Sequence, residues 1–192
     1  DQAFEDCSEL ACIVIGENVR GIGENAFKNC HNLTSITIPA NVKSIGNGAF
    51  AGCTSLKDLC IEDGDTPLSL GYGRYLSYST GDGLFYSCPL ENIYLGRDLE
   101  YETGDKYGYS PFKGQKKLKT LTIGNGITNI EDNTFWGCAA LTDIVISNSV
   151  TNIGDYVFEY CSELTSITIG HNVESIGDYA FEGCKKLTDV YL

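Results

Sequence analysis

A chain of 192 residues with 42% hydrophobic content is long enough to bury a sizeable core and too apolar to be disordered. Its 26 acidic and 13 basic residues give a net charge of −13, which argues against a nucleic-acid or anionic-membrane partner, since both need clustered Lys and Arg. No apolar run approaches the ~20 residues that a membrane helix requires, so no membrane insertion of this segment is expected.

In chain order, the elements repeat. Phe stands at positions 4, 27, 50, 85, 112, 135, 158 and 181, at intervals of 23, 23, 35, 27, 23, 23 and 23. A fixed period in this range is the mark of a solenoid. Three residues after each Phe comes Cys, at Cys7, Cys30, Cys53, Cys88, Cys138, Cys161 and Cys184, with Gln115 as the exception. In the second coil the pattern continues with Leu33, Ile36, Ile38, Val42 and Ile45. The segment "LTSITI" alternates apolar and polar residues and reads as a short, half-buried strand. "NVKSIG" reads as a second extended piece on the other side of the coil. "NGAFAGC", with Gly, Ala and an aromatic at tight spacing, predicts a helical turn that closes it. One coil cannot bury its Phe, Cys and Leu alone, whereas stacked coils form continuous ladders. Hence "SITIPANVKSIGNGAFAGC" at 35–53 returns as "SITIGHNVESIGDYAFEGC" at 166–184. The fold class is therefore a strand-rich solenoid of about seven and a half coils in one domain, 1–192, with two longer irregular coils at 50–84 and 85–111.

The cysteines follow from this pattern. No C-x-x-C or H-x-x-x-H spacing exists, and His31 and His171 are the only histidines, so zinc is not expected. Phe27, Cys30, Phe50, Cys53, Phe135, Cys138, Phe158, Cys161, Phe181 and Cys184 form the structural ladder, with the thiols reduced and buried. Cys12 and Cys60 lie off it, at outward positions of predicted strands.

Leu33–Asn41, Leu10–Asn18 and Leu164–Asn172 match L-x-x-L-x-L-x-x-N with Ile accepted at Leu positions. In its Phe-x-x-Cys-x-x-Leu form, the 23-residue repeat resembles the BspA-like, or Treponema-type, bacterial leucine-rich repeats, and the resemblance covers nearly the whole chain. It implies a leucine-rich-repeat solenoid, an extracellular or cell-surface location, and adhesion to proteins or cells. It supplies no catalytic residues and no cofactor to carry over.

Candidate binding positions fall in two places. Strand residues flanking the inward Ile-x-Ile pairs face outward on the concave side. One such column runs Cys12, Ser35, Asp58, Asn92, Thr120, Asp143, Ser166 and Asp189, and the next includes Thr37, Cys60, Tyr94, Thr122 and Thr168. The irregular coils hold eight of twelve tyrosines, Tyr72, Tyr75, Tyr78, Tyr86, Tyr94, Tyr101, Tyr107 and Tyr109. Insertions in solenoids map to loops, often binding loops, and Tyr suits protein or sugar recognition. The same rings also suit packing of the insertions onto the solenoid, because Leu68, Leu70 and Leu76 need burial. Trp136, in a column that is polar elsewhere, is expected to lie exposed on the outer side. The turns "EDGD" at 62–65 and "TGDG" at 80–83 lack full calcium-loop spacing, so no metal is expected. No G-x-S-x-G, P-loop or dinucleotide fingerprint occurs.

The expected function is a non-catalytic binding module whose partner is a protein or glycan at a cell surface. A glycan-binding module and an inert spacer are the alternatives. The chain starts three residues before Phe4 and stops at "LTDVYL", which predicts continuation of the natural protein at the N-terminus, or else weak end-to-end self-association.

Overall fold

Alternating Leu and Ile residues become strands because each coil's strand lies beside the strand of the next. The computed structural model describes residues 1–71, 83–102 and 110–192. Seven strands form one parallel sheet, ordered β14-β12-β10-β8-β6-β4-β2. They are β2 (Ser35–Ile38), β4 (Asp58–Ile61), β6 (Asn92–Arg97), β8 (Thr120–Gly126), β10 (Asp143–Val145), β12 (Ser166–Thr168) and β14 (Asp189–Tyr191). On the opposite side of the coils lie two smaller sheets. One joins β1 (Gly21–Ile22), β3 (Ser44–Ile45), β5 (Leu68–Leu70) and β7 (Leu99–Glu100); the other joins β9 (Asn129–Ile130), β11 (Asn152–Ile153) and β13 (Ser175–Ile176).

Strand pairing places equivalent residues side by side across the longer coils as well as the 23-residue ones. Ile36 pairs with Leu59, Leu59 with Ile93, Ile93 with Leu121, Leu121 with Ile144, and Ile144 with Ile167. These side chains are at most 5% exposed, and their strand neighbours Thr37, Thr122 and Thr168 face water. The eight Phe rings stack from Phe4 to Phe181 at centroid spacings of 5.3–5.7 Å. Phe50 stacks on Phe85 at 5.7 Å even though the intervening coil carries the longest insertion.

The Cys ladder has a hydrogen-bonding purpose beyond volume. Each thiol donates to the carbonyl of the preceding coil's Phe: Cys30 to Phe4, Cys53 to Phe27, Cys88 to Phe50, Cys138 to Phe112, Cys161 to Phe135 and Cys184 to Phe158, at 3.1–3.5 Å. Gln115, the break in the sequence pattern, donates its Nε2 to the Phe85 carbonyl at 3.4 Å. All nine cysteines are free thiols. Burial pushes the Cys30 thiol up to about 11 and Cys138 up to about 12, so both stay protonated and unreactive near neutral pH. The expectation of burial fails at the ends of the ladder. Cys7 is exposed and Cys184 half-buried, each in a coil that packs against one other coil among the described residues.

The closing segment is not a helical turn, and no helix occurs among the described residues. Its alternate N–H groups point along the solenoid axis instead of back down the chain. Asn25, Phe27 and Asn29 donate to the carbonyls of Asn47, Ala49 and Ala51 in the next coil at 2.8–2.9 Å. To arrange this, the chain enters left-handed backbone twice, two residues before and two after the Phe. Asn25 and Asn29 (φ 52° and 60°) or Gly48 and Gly52 (φ 60° and 77°) take these positions. Asn and Gly suit them, whereas other side chains pay about 1–2 kcal/mol there. Residues 10–15 of the first coil form no strand, against expectation, so Cys12 sits exposed in irregular backbone.

The strand phase yields a paired prediction. Ile167→Asp sets a carboxylate without a partner among apolar ladders and should unfold the C-terminal coils at a cost of several kcal/mol. Thr168→Asp, one residue along and exposed, should change stability by no more than about 0.5 kcal/mol. Urea unfolding of both variants checks this, and equal losses would contradict the phase.

Candidate functional site

The outward residues of the large sheet form two columns whose registration is fixed by strand pairing. Ser35, Asp58, Asn92, Thr120, Asp143, Ser166 and Asp189 are Cα partners in succession. Thr37, Cys60, Tyr94, Thr122, Val145, Thr168 and Tyr191 form the second column. Both match the columns expected from the sequence between Ser35 and Tyr191. A shallow depression of about 230 Å³ crosses β2, β4, β6 and β8, and it brings together the candidates Asp58, Asn92, Tyr94, Thr120 and Thr122. Asp143 belongs to the same column but lies one strand beyond the depression.

Polar contacts organise this surface. Asn92 Nδ2 donates to Asp58 Oδ1 at 2.7 Å. Ser166 Oγ donates to Asp143 Oδ1 at 2.6 Å, which holds the Asp143 carboxyl below the usual carboxylate range. The Tyr94 hydroxyl donates to Asp63 Oδ1 at 2.9 Å, and this bond to a carboxylate is the main cause that raises its pKa. Room for that contact depends on Gly124, where a Cβ would lie 2.7 Å from the Tyr94 hydroxyl. Among the described residues, no cluster of His, Cys, Asp and Glu is arranged to hold a metal.

The irregular coils are anchored by a residue that sequence reasoning missed. Arg97 is buried, donates to the carbonyls of Ala40 at 2.8 Å and Pro39 at 2.9 Å, and leaves its Nε without a partner. It reaches back across two coils, passing within 3.5 Å of the position a Cβ on Gly64 would occupy. Burial lowers its pKa, and the Glu62 carboxylate acts in the opposite sense. A single Arg in a strand gives no sequence signal of burial, since exposure is its default.

Other candidates are relocated. Tyr101 is half-buried. Leu99 pairs with Leu68, so Tyr101 falls in line with Leu70 and packs against the core, and its hydroxyl meets Thr134 Oγ1 at 2.6 Å. Leu68 and Leu70 are buried as well, which shows where the first insertion sends its apolar groups. Trp136 is half-buried rather than free on the outside. Its Nε1 donates to Glu159 Oε2 at 2.7 Å and Lys113 Nζ sits 4.2 Å from its ring centroid. Tyr72, Tyr75, Tyr78, Tyr107 and Tyr109, with Leu76, lie outside the described residues.

The family model for the BspA type leucine rich repeat region matches residues 1–70 and 78–192 in six copies. Among solved structures, the chain is similar to a leucine-rich repeat protein from Bacteroides ovatus, with 22% identity, TM-score 0.54, and coverage of 99% of this chain and 57% of that one. A leucine rich cell surface protein from Faecalibacterium prausnitzii gives 23% identity and TM-score 0.50, over 99% of this chain and 68% of that one. The leucine rich repeat protein of T. pallidum gives 24% and 0.52, over 89% and 62%. The chain thus spans less than two thirds of the B. ovatus and T. pallidum proteins. No curated protein matches it.

Arg97 generates a prediction. Arg97→Ala removes the donors to two carbonyls and opens a void, so stability should fall by about 2 kcal/mol or more. Tyr94→Phe, which removes one exposed bond, should cost about 1 kcal/mol or less. Denaturant midpoints of the two variants check the order, and an Arg97→Ala loss no larger than that of Tyr94→Phe would contradict the anchoring role.

Proposed function

The chain belongs to the BspA-type leucine-rich-repeat family, and from that premise we propose that it is a non-catalytic binding module of a secreted or surface protein. The reading rests chiefly on one observation: seven strands in register hold small polar side chains at fixed spacing over a broad, open sheet. Solenoids use extended surfaces of this kind for binding. The depression beside Tyr94 has an open floor of Thr, Ser, Asp and Asn side chains, which suits a protein partner laid across several strands. The surface location draws support from the name of the F. prausnitzii cell surface protein, which shares the fold.

The glycan alternative rests on Tyr94. Tyr94 lines the same depression as the hydrogen-bonded Asp58–Asn92 pair, and an aromatic side chain together with a carboxylate and an amide is a composition that recognises sugars.

A combined protein and glycan array tests both readings. The probes are the native chain and an Asp58→Arg/Thr122→Arg variant, altered only at outward positions. The expected result is retention of the native chain on a protein, reduced at least about tenfold in the variant, the loss of ~1.4 kcal/mol expected at a hot spot. Retention on a defined oligosaccharide, lost in Tyr94→Ala, would favour the glycan reading. Retention unaffected by either change would overturn the concave site.

A further inference from the structure

The turn side of the C-terminal coils carries a second surface that the concave-face reading does not use. The left-handed positions flanking Phe are Gln2 and Asp6, Asn25 and Asn29, then Gly48 and Gly52 in the first coils. Near the other end they become Tyr156, Tyr160 and Tyr179, at φ 59°, 59° and 57°. Tyr is a poor residue for this backbone, so the fold alone does not call for these side chains.

The rings are organised. Tyr156 and Tyr179 stack at 5.1 Å, and Trp136 meets Tyr160 edge-on at 5.5 Å. Gly183 in the next coil leaves room for Tyr160, since a Cβ there would lie 2.4 Å from its ring. Tyr160 and Tyr179 are 47% and 56% exposed.

Carboxylates surround the rings. Asp132, Asp155 and Asp178 form a ladder in which the N–H of Asp155 donates to Asp132 at 2.8 Å and that of Asp178 to Asp155 at 2.7 Å. Glu159 and Glu182 lie close enough to Tyr160 to raise its pKa, and Asp155, Glu159 and Asp178 add to the burial that raises that of Tyr156. Lys113 Nζ lies 4.2 Å from the Trp136 ring centroid, and the Glu159 carboxylate acts on it.

The geometry points to this ridge, Tyr156, Tyr160 and Tyr179 with Asp155, Asp178 and Glu182, as an interaction surface for a basic protein segment that presents Arg or Lys. Hydroxyls and carboxylates accept their N–H groups, and the ring edges pack against their aliphatic stems. Nucleic acid would be repelled here.

Fluorescence anisotropy with a labelled peptide of alternating arginine and serine tests the inference. The key variant is Tyr156→Asn/Tyr160→Gly/Tyr179→Asn, which leaves the charge unchanged and installs residues that other coils carry in the same columns. Its Kd should weaken at least about fivefold, and its thermal midpoint should not fall below that of the native chain. Glu17→Gln/Asp65→Asn, at exposed positions of earlier coils outside both surfaces, should bind as the native chain does. An unchanged Kd in the tyrosine variant, or an equal loss in the Glu17→Gln/Asp65→Asn variant, would mean that overall acidity attracts the peptide, and the inference would fall.

Discussion

From Phe4 to Phe158, every ladder Phe carbonyl accepts a side-chain donor from the following coil as well as the N–H three residues on in its own turn. Leaving a buried carbonyl short of donors costs free energy, and a thiol supplies a donor with the bulk of a small apolar group. Gln115 shows that the requirement is for the donor rather than for sulfur. This contact ties each turn to the next at the axial spacing at which the Phe rings stack, and leaves the ladder thiols occupied. The high Cys content is thus a consequence of stacking.

The same constraint explains how the irregular coils are tolerated. An insertion is harmless so long as its coil returns a Phe to the stack and an apolar group to each ladder. The third coil does so with Leu68, Leu70 and Phe85, and the fourth with Leu99, Tyr101 and Phe112. Arg97 then ties the segment around Gly64 down onto the carbonyls of Pro39 and Ala40. The large sheet passes through both coils with its outward columns unbroken, which keeps the surface proposed for binding continuous.

What the sequence made legible was whatever repeats. Period, inward ladders and outward columns could be read because each position is sampled about once per coil, and the strand pairings agree with that reading. Single features were harder to read. Nothing marks Arg97 as buried or Tyr101 as inward, because both sit in coils whose length breaks the alignment. Nothing marks Trp136 as half-buried, because its column is polar elsewhere, yet Lys113 and Glu159 pack against it. The closing turn is not legible, because Gly, Ala and an aromatic at tight spacing suit a helical turn as well as a chain alternating through left-handed backbone. The aromatic ridge stayed hidden for the same reason, since its positions become a column only when that backbone is known.

Binding on such a frame is a matter of which side chains a rigid array presents, and the rigidity depends on contacts between coils. The most direct test is Raman spectroscopy of the S–H stretch in the native chain. Thiols that donate to carbonyls absorb at lower frequency than free thiols. The account predicts a main band shifted down, from the buried ladder cysteines, with a smaller unshifted part from exposed Cys7 and Cys12, and an upward shift on unfolding. A native band already at the free-thiol frequency, or no S–H band because the thiols are paired as disulfides, would contradict it.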